Sequence, residues 1–504
     1  MDFIRNFPFF CIILAMFSGI ISSAMDSRWA KRVCLTMISL VLIMSIAVLY
    51  YTSSISDAPI TYLMGHFPAP WGNEIRIGIL EAFMALFFCV IMLLSMLGGI
   101  SHIEVDIEPS KINLFYVLID MMMSSLLAMI YTNDLFTGYV FVEINTIAAC
   151  GMIMIRQNGH GIVAAIRYMV MSLIGSGLFL IGISLLYTIT GQLLMVPAHD
   201  AIKQLVTNGL YSIPLIVTIS LLSVGLAIKC GLYPFHSWIP ETYGYATPTA
   251  SAILSSLVSK GYIILLIKIF YRVLGFDNII NSHVLNALFM FGVVAMIMGS
   301  IHAILQTDAR KMIAFSSVAQ IGYIFMGIGL GTEAGVVAAI FHIMTHAATK
   351  SLLFISAVGL YEVSDGQTDY ISLRGAAYRN KAAGVAFLVG SLSMVGFPMF
   401  SGFISKYLFA TAALERPHKM LITIIALVIS TILNAVYFLR QVVTIYSDHD
   451  AQATRSEHFF PEAVVESTLS NKVASILLVV LNLFLGLCSS IIIPLIITGI
   501  EMFA

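Results

Sequence analysis

Charge is what this chain has least of. Only 10% of its 504 residues are Asp, Glu, Lys or Arg, against 59% hydrophobic, and the mean hydropathy is +0.97. That balance excludes a soluble domain and predicts an all-α membrane protein. Long hydrophilic stretches are missing too; the longest, about 446–471, is too short for a soluble domain. The six cysteines (Cys11, Cys34, Cys89, Cys150, Cys230, Cys488) contain no Cys-x-x-Cys pair, so they read as small core residues rather than disulfides or cluster ligands. Absent as well are a Gly-rich phosphate loop, His-Glu-x-x-His and Gly-x-Ser-x-Gly. His236 has no companion at metal spacing, and the 28 methionines are spread through apolar spans as packing filler. No catalytic centre, metal or cofactor is therefore expected in this chain, and any redox centre belongs to partners.

What is there is a succession of apolar runs. A span needs about 20 apolar residues, and the sequence predicts about fourteen in a single domain, 1–504. The first lacks the basic front of a cleaved leader and is expected to remain as helix one. Fourteen spans put both termini on one side. Twelve loop cations face the other side: Arg28, Lys31, Arg32, Lys111, Arg156, Arg310, Lys311, Arg374, Arg379, Lys381, Arg455 and Lys472. Six share the terminal side: Arg5, Arg76, Lys203, Arg272, Arg416 and Lys419. The positive-inside rule then predicts both termini outside a cell (inner or plasma) membrane.

Two spans carry a lysine and a proline close together. The seventh (211–232) ends in Lys229-Cys-Gly-Leu-Tyr-Pro234; the twelfth (383–409) holds Gly396-Phe-Pro398, then Ser401-Gly402 and Lys406. Proline removes a backbone donor and glycine relaxes the chain, so both helices should be broken. The lysine precedes the proline in one and follows it in the other. This mirror order predicts two inverted five-helix repeats, spans 4–8 (112–271) and 9–13 (284–445), flanked by 1–99 and 472–504.

Against that apolar ground, Lys229, Lys260, Lys350 and Lys406 lie deep in spans, each costing roughly 2.5–3.5 kcal/mol on insertion scales. His342, His346 and Lys350 recur every four residues, so they share one helix face over about 12 Å. Three titratable groups one turn apart can hand on a proton through one or two waters, whereas a single histidine would read as a core residue. Glu143 has no other acid nearby, and Asp134 falls nearer the surface. A carboxylate at depth needs a proton or a cation, and Lys229 is its natural partner. Such a pair is either a switch, in which the lysine stays charged until the glutamate swings away, or a static tie between helices. Lys260 and Lys406 are too central to snorkel; Lys268, near a span end, is expected to do so. Asp120 reads equally as a pathway member or a helix-packing acid.

The segment Lys229-Cys-Gly-Leu-Tyr-Pro-Phe-His-Ser-Trp-Ile-Pro-Glu241, followed by Ala246-Thr-Pro-Thr-Ala-Ser-Ala252, resembles the hallmark of antiporter-like membrane subunits. These occur in respiratory complex I, Mrp-type Na+/H+ antiporters and energy-converting membrane-bound hydrogenases. Gln306-Thr-Asp-Ala-Arg-Lys through Gly322, the 341–350 ladder, and Gly396 through Lys406 agree. Gly65-His-Phe-Pro-Ala-Pro-Trp-Gly72 looks like the Mrp D subunit and its hydrogenase relatives. The resemblance implies fourteen helices and a hydrated polar axis. It makes Glu143 and Lys229 the coupling pair, Lys260 the connecting residue, His342, His346 and Lys350 the central relay, and Lys406 the lysine of the second half-channel. Asp120 and Cys230 depart from the pattern.

The expectation is a proton-translocating subunit of a multi-subunit membrane complex, driven by redox chemistry or coupled to Na+/H+ exchange. Its partners would be further antiporter-like subunits, with a soluble redox arm, the lipid bilayer and no nucleic acid. Two alternatives differ in kind: a non-conducting scaffold, which would tolerate Lys406→Ala, and a self-contained secondary transporter, which would work when purified alone.

Overall fold

The structure, a computed structural model, describes residues 2–55, 58–67, 72–447 and 467–503. Arg455, most of the 446–471 stretch and the Pro68–Trp71 part of the early motif lie outside the described residues. The chain opens with α1 (Phe7–Ser23) and α2 (Ser27–Ser54), then α3 (Ile79–Asp106), α4 (Ile112–Tyr131), α5 (Leu135–Met154) and α6 (Gly159–Thr190). A shorter α7 (Met195–Thr207) precedes α8 (Ser212–Cys230) and α9 (Ile239–Tyr245). Next, α10 (Pro248–Ile253) and α11 (Ser259–Ile269) are joined by a π-turn, Leu254–Val258, into one span, Pro248–Leu274. The second part runs through α12 (Phe276–Asn281), α13 (Val284–Ile304), α14 (Ala309–Gly329) and α15 (Glu333–Glu362). It closes with α16 (Ala376–Arg379), α17 (Lys381–Val395), α18 (Ser401–Ala413), α19 (Pro417–Ile445), α20 (Leu469–Leu487) and α21 (Ser489–Glu501).

Among the described residues, thirteen helices are long and apolar enough to cross a membrane. The shorter α17 and α18 together make one more passage, so the fourteen expected spans are accounted for. Polar caps start the helices where the sequence supplies them: Asp134 accepts from the Thr137 N–H on α5, Asp308 from Lys311 on α14, and Thr332 from Gly335 on α15. Asp134 thus sits at a helix end, and it is buried there. The termini share one end of the bundle: Arg76 donates to the Met502 carbonyl at 3.2 Å, and Arg5 to the Tyr51 hydroxyl at 3.1 Å.

Both proline-bearing spans are broken. Gly231 ends α8 at φ 75°, and Gly396 ends α17 at φ 90°, left-handed positions that suit glycine. Helices pack in matching pairs: α4 on α5 as α13 on α14, α6 on α8 as α15 on α17, and α8 on α11 as α17 on α19. The spans Pro248–Leu274 and Glu333–Glu362 are buried along their apolar middles, while α1, α2, α6, α19 and α20 turn much of their surface outward. The titratable residues therefore ride mainly on the innermost helices.

Two features were not read from the sequence. A hairpin, β1 (Ile60–Leu63) and β2 (Glu74–Ile77), pairs antiparallel with Ile60 opposite Ile77 at the terminal end. Its four-residue strands are too short to stand out from a loop by alternation. In addition, Arg272 and Arg310 are buried rather than loop cations. One falls on each side of the charge count, so the bias keeps its sign.

Candidate functional site

Lys229 is at the last turn of α8, immediately before the break, and its side chain is completely covered. Its ammonium donates to Thr146 Oγ1 at 2.6 Å and lies 3.4 Å from Glu143 Oε1, both on α5. Glu143 keeps 24% of its side chain exposed. The acid thus stands at the edge of the subunit, and the base inside it. The Tyr262 ring centroid is 5.8 Å from the same ammonium.

Lys260 follows the π-turn, and its ammonium donates to the Ser255 carbonyl within that turn. A π-turn displaces carbonyls from the regular ladder, and such turns recur at functional sites. Here it supplies a neutral acceptor to a wholly buried cation. No carboxylate pairs with Lys260 among the described residues.

The ladder on α15 is intact and buried from end to end. His342 Nδ1 is 2.6 Å from Ser405 Oγ on α18, its ring stacks on Tyr323 at 5.3 Å, and its centroid is 6.2 Å from that of His346. Neither ring nitrogen of His346 has a protein partner, nor does His342 Nε2. Buried imidazole nitrogens without a hydrogen-bond partner among the described residues keep capacity that a water could meet. Lys350 turns to α14, donating to the Ile313 carbonyl at 2.7 Å and to Ser316 Oγ. Lys406, on α18, reaches back across the second break to the Val395 and Met394 carbonyls at 2.5 and 3.3 Å, capping α17. Gly396 makes room for it: a Cβ there would lie 2.9 Å from Lys406 Cδ.

The seven predicted residues therefore fall into four sets. Glu143 and Lys229 are in contact; His342, His346 and Lys350 share a helix face; Lys406 approaches the ladder through Ser405 and through Tyr323, whose ring is 5.9 Å from its ammonium. Lys260 hydrogen-bonds only its own helix, which packs against α15, and it stands within coulombic reach of His342, His346 and Lys350. Asp120 belongs elsewhere: its Oδ2 accepts from Ser18 and Ser22 of α1 at 2.9 and 3.3 Å, which ties α4 to α1 away from the axis.

Lys268 corrects the sequence reading. It is fully buried and donates to the Ile130 and Thr132 carbonyls at 2.6 and 2.5 Å, closing the end of α4 instead of reaching water. Arg272, a turn later, is buried against Glu81 as an ion pair, and Glu81 also accepts from the Gly78 N–H at 3.0 Å. Sequence reasoning missed this pair because both residues lie near span ends, where a surface position is the default. It also missed Asn482 of α20, whose Oδ1 accepts from Thr349 (2.7 Å), Ser393 (3.2 Å) and Ser401 (3.4 Å) around the second break. His236 stacks against Tyr233 at 4.8 Å and His302 at 5.8 Å, and no metal-binding cluster occurs among the described residues.

A helical bundle with buried basic side chains along its innermost helices belongs to the class of ion-translocating membrane subunits. Residues 132–433 match the family described as NADH:quinone oxidoreductase/Mrp antiporter, transmembrane, and the chain belongs to that family. It is 30% identical over 408 residues to a NADH-quinone oxidoreductase subunit N of Desulforudis audaxviator, covering 81% of this chain and 79% of the relative. It is 29% identical to a putative antiporter subunit, mnhD2, of Staphylococcus epidermidis, covering 96% and 92%. In fold it is similar to a chain of the Mrp complex from a Dietzia species, with TM-score 0.86 and 23% identity over 99% and 97% of the two chains. A chain of the archaeal membrane-bound sulfane sulfur reductase gives TM-score 0.85 and 23% identity over 100% and 98%. These relatives are parts of multi-subunit membrane complexes, and this chain is an antiporter-like membrane subunit with other membrane subunits as partners.

Proposed function

We propose that the chain translocates protons along its buried basic axis. Protons are taken up from the inner side toward Lys229 or Lys260, pass His342, His346 and Lys350, and leave by way of Lys406. The observation that carries this reading is the ladder: imidazole nitrogens with no protein partner, flanked by lysines held only by neutral acceptors. Groups placed so can accept and pass a proton without breaking an ion pair. The spans around each break act as inverted repeats, 112–271 and 284–445, with 1–99 and 472–504 as flanks; the matching helix pairs support this division.

Glu143 and Lys229 act as the coupling switch. At about 4 Å and an effective dielectric near 20, a charge pair is worth about 4 kcal/mol. That is the energy of moving one charge through roughly 180 mV. Glu143, exposed at the subunit edge, is the member able to answer a neighbour's charge. The driving energy comes from a soluble redox arm or from Na+/H+ exchange elsewhere in the assembly. The protein sits in the cell membrane with both termini outside, following the excess of cations on the opposite loops. The test is Lys229→Ala in liposome-reconstituted complex, for which ΔpH formation should be lost. Undiminished ΔpH formation by that variant ends the proposal.

A further inference from the structure

Lys268 and Arg272, which the axis does not use, stand between it and a cleft on the terminal face. A buried trio leads off the Lys229 pocket. Tyr262, whose ring faces the Lys229 ammonium, donates its hydroxyl to Asn145 Oδ1 at 3.0 Å, and Asn145 Nδ2 donates to Ser125 Oγ at 2.8 Å. Ser125 lies on α4 one turn before Met129, the first of the carbonyls around Lys268, whose others are Ile130 and Thr132. Arg272, paired with Glu81, follows one turn after Lys268 and lines a cleft of about 630 Å³ with Arg76, His199, Asp200, Lys203 and Asp277. Polar groups thus run from the Lys229 pocket to Ser125, whose own hydroxyl donates to the Met122 carbonyl at 2.8 Å, and resume one helical turn further on at the Lys268 carbonyls and the cleft. Their last stretch holds two buried cations and a single buried carboxylate.

We propose that Lys268 and Arg272 form a fixed cationic plug that shuts the first half-channel off from the terminal face. The inference rests on the proton-translocation reading. Positive charge at a constriction excludes protons, and a buried charge is little screened by salt. Lys268 spends all three ammonium donors on the Met129, Ile130 and Thr132 carbonyls, where Lys350 and Lys406 each spend two on neutral acceptors, and Arg272 is paired with Glu81, so the plug is held more fully than the relay lysines. Without them, a proton reaching Lys229 could leave by the trio and the cleft, bypassing Lys260 and the histidines.

The experiment is passive proton flux into liposomes holding the assembled complex, with no substrate, under a potassium diffusion potential and read by a pH dye. The variant Lys268→Met/Glu81→Gln/Arg272→Gln removes the plug while leaving no unpaired buried carboxylate. Its leak should rise about tenfold or more over wild type, as expected when a charge barrier of one to two kcal/mol is removed. Adding Asn145→Leu, which cuts the trio, should return the leak to the wild-type level. Lys268→Met alone keeps the Glu81–Arg272 pair and should give a smaller rise; Lys268→Arg should give none. Wild-type leak in both plug variants, or a leak that persists with Asn145→Leu, overturns the proposal. Because the flux is measured without turnover, its outcome is separate from whether Lys229→Ala abolishes pumping.

Discussion

The four lysines of the axis meet one requirement in different ways, and the difference assigns their work. A buried ammonium needs acceptors for its donors. Lys350 and Lys406 find backbone carbonyls and Lys260 a π-turn carbonyl, while Lys229 alone meets a carboxylate. Glu143→Gln keeps the shape and deletes the charge, so ΔpH formation by the reconstituted complex should fall by about tenfold or more, an effect of at least 1.4 kcal/mol. Unchanged proton pumping in that variant would reduce the pair to a helix tie. Gly396→Ala is a second residue-scale case. The added methyl meets Lys406 at 2.9 Å from a left-handed position, φ 90°. Lys406 should be displaced from the Val395 carbonyl, and transport should drop while the complex still assembles on a native gel. The sequence exposed these residues because charge in an apolar run is conspicuous. It hid Lys268, since distance along the chain does not tell which neighbour covers a span end.

At the scale of elements, breaks and π-turns do what regular helices cannot. A regular helix engages its own carbonyls, leaving a buried cation few acceptors. The breaks after Cys230 and Val395 follow from glycine and proline, and were legible. The π-turn at Leu254–Val258 was not, because no residue type marks it. Deleting Ser256 should let the turn relax to regular helix, returning the Ser255 carbonyl to the ladder and leaving Lys260 without its acceptor. The complex is expected to assemble with reduced proton transport; full transport would mean that the turn has no part in holding Lys260. The second break leans on α20. Asn482→Ala would remove the acceptor shared by three buried hydroxyls, of which Thr349 keeps the Thr345 carbonyl at 2.7 Å; each hydroxyl left unpaired costs about 1–3 kcal/mol. A lower thermal midpoint of the complex in detergent should report it, and an unchanged midpoint would show that the hydroxyls find other acceptors.

For the whole molecule, the question is whether one chain suffices. Glu143 stands partly exposed at the subunit edge while its partner Lys229 is covered, so the pair is placed to answer a neighbouring subunit. The purified chain alone in liposomes should therefore neither build nor exchange a proton gradient, whereas the assembled complex should. Vigorous transport by the isolated chain would instead favour a self-contained transporter. The fold as a whole was legible as about fourteen spans with two breaks, because apolar length and Gly-Pro breaks are local properties. The terminal-face hairpin was lost, since four-residue strands carry too little pattern.

The sequence by itself determined that this is a helical membrane protein, where its helices break, and which buried side chains can hold protons, because burying charge in hydrocarbon is costly enough to leave few sites. Only the tertiary structure decided which of those groups meet. It brought Lys229 to Glu143 across 86 positions, gave Lys406 the carbonyls of the preceding helix, set Asp120 of α4 apart against α1, and sank Lys268 and Arg272 behind a cleft. Contact between helices depends on packing faces and depths that no local run of residues specifies.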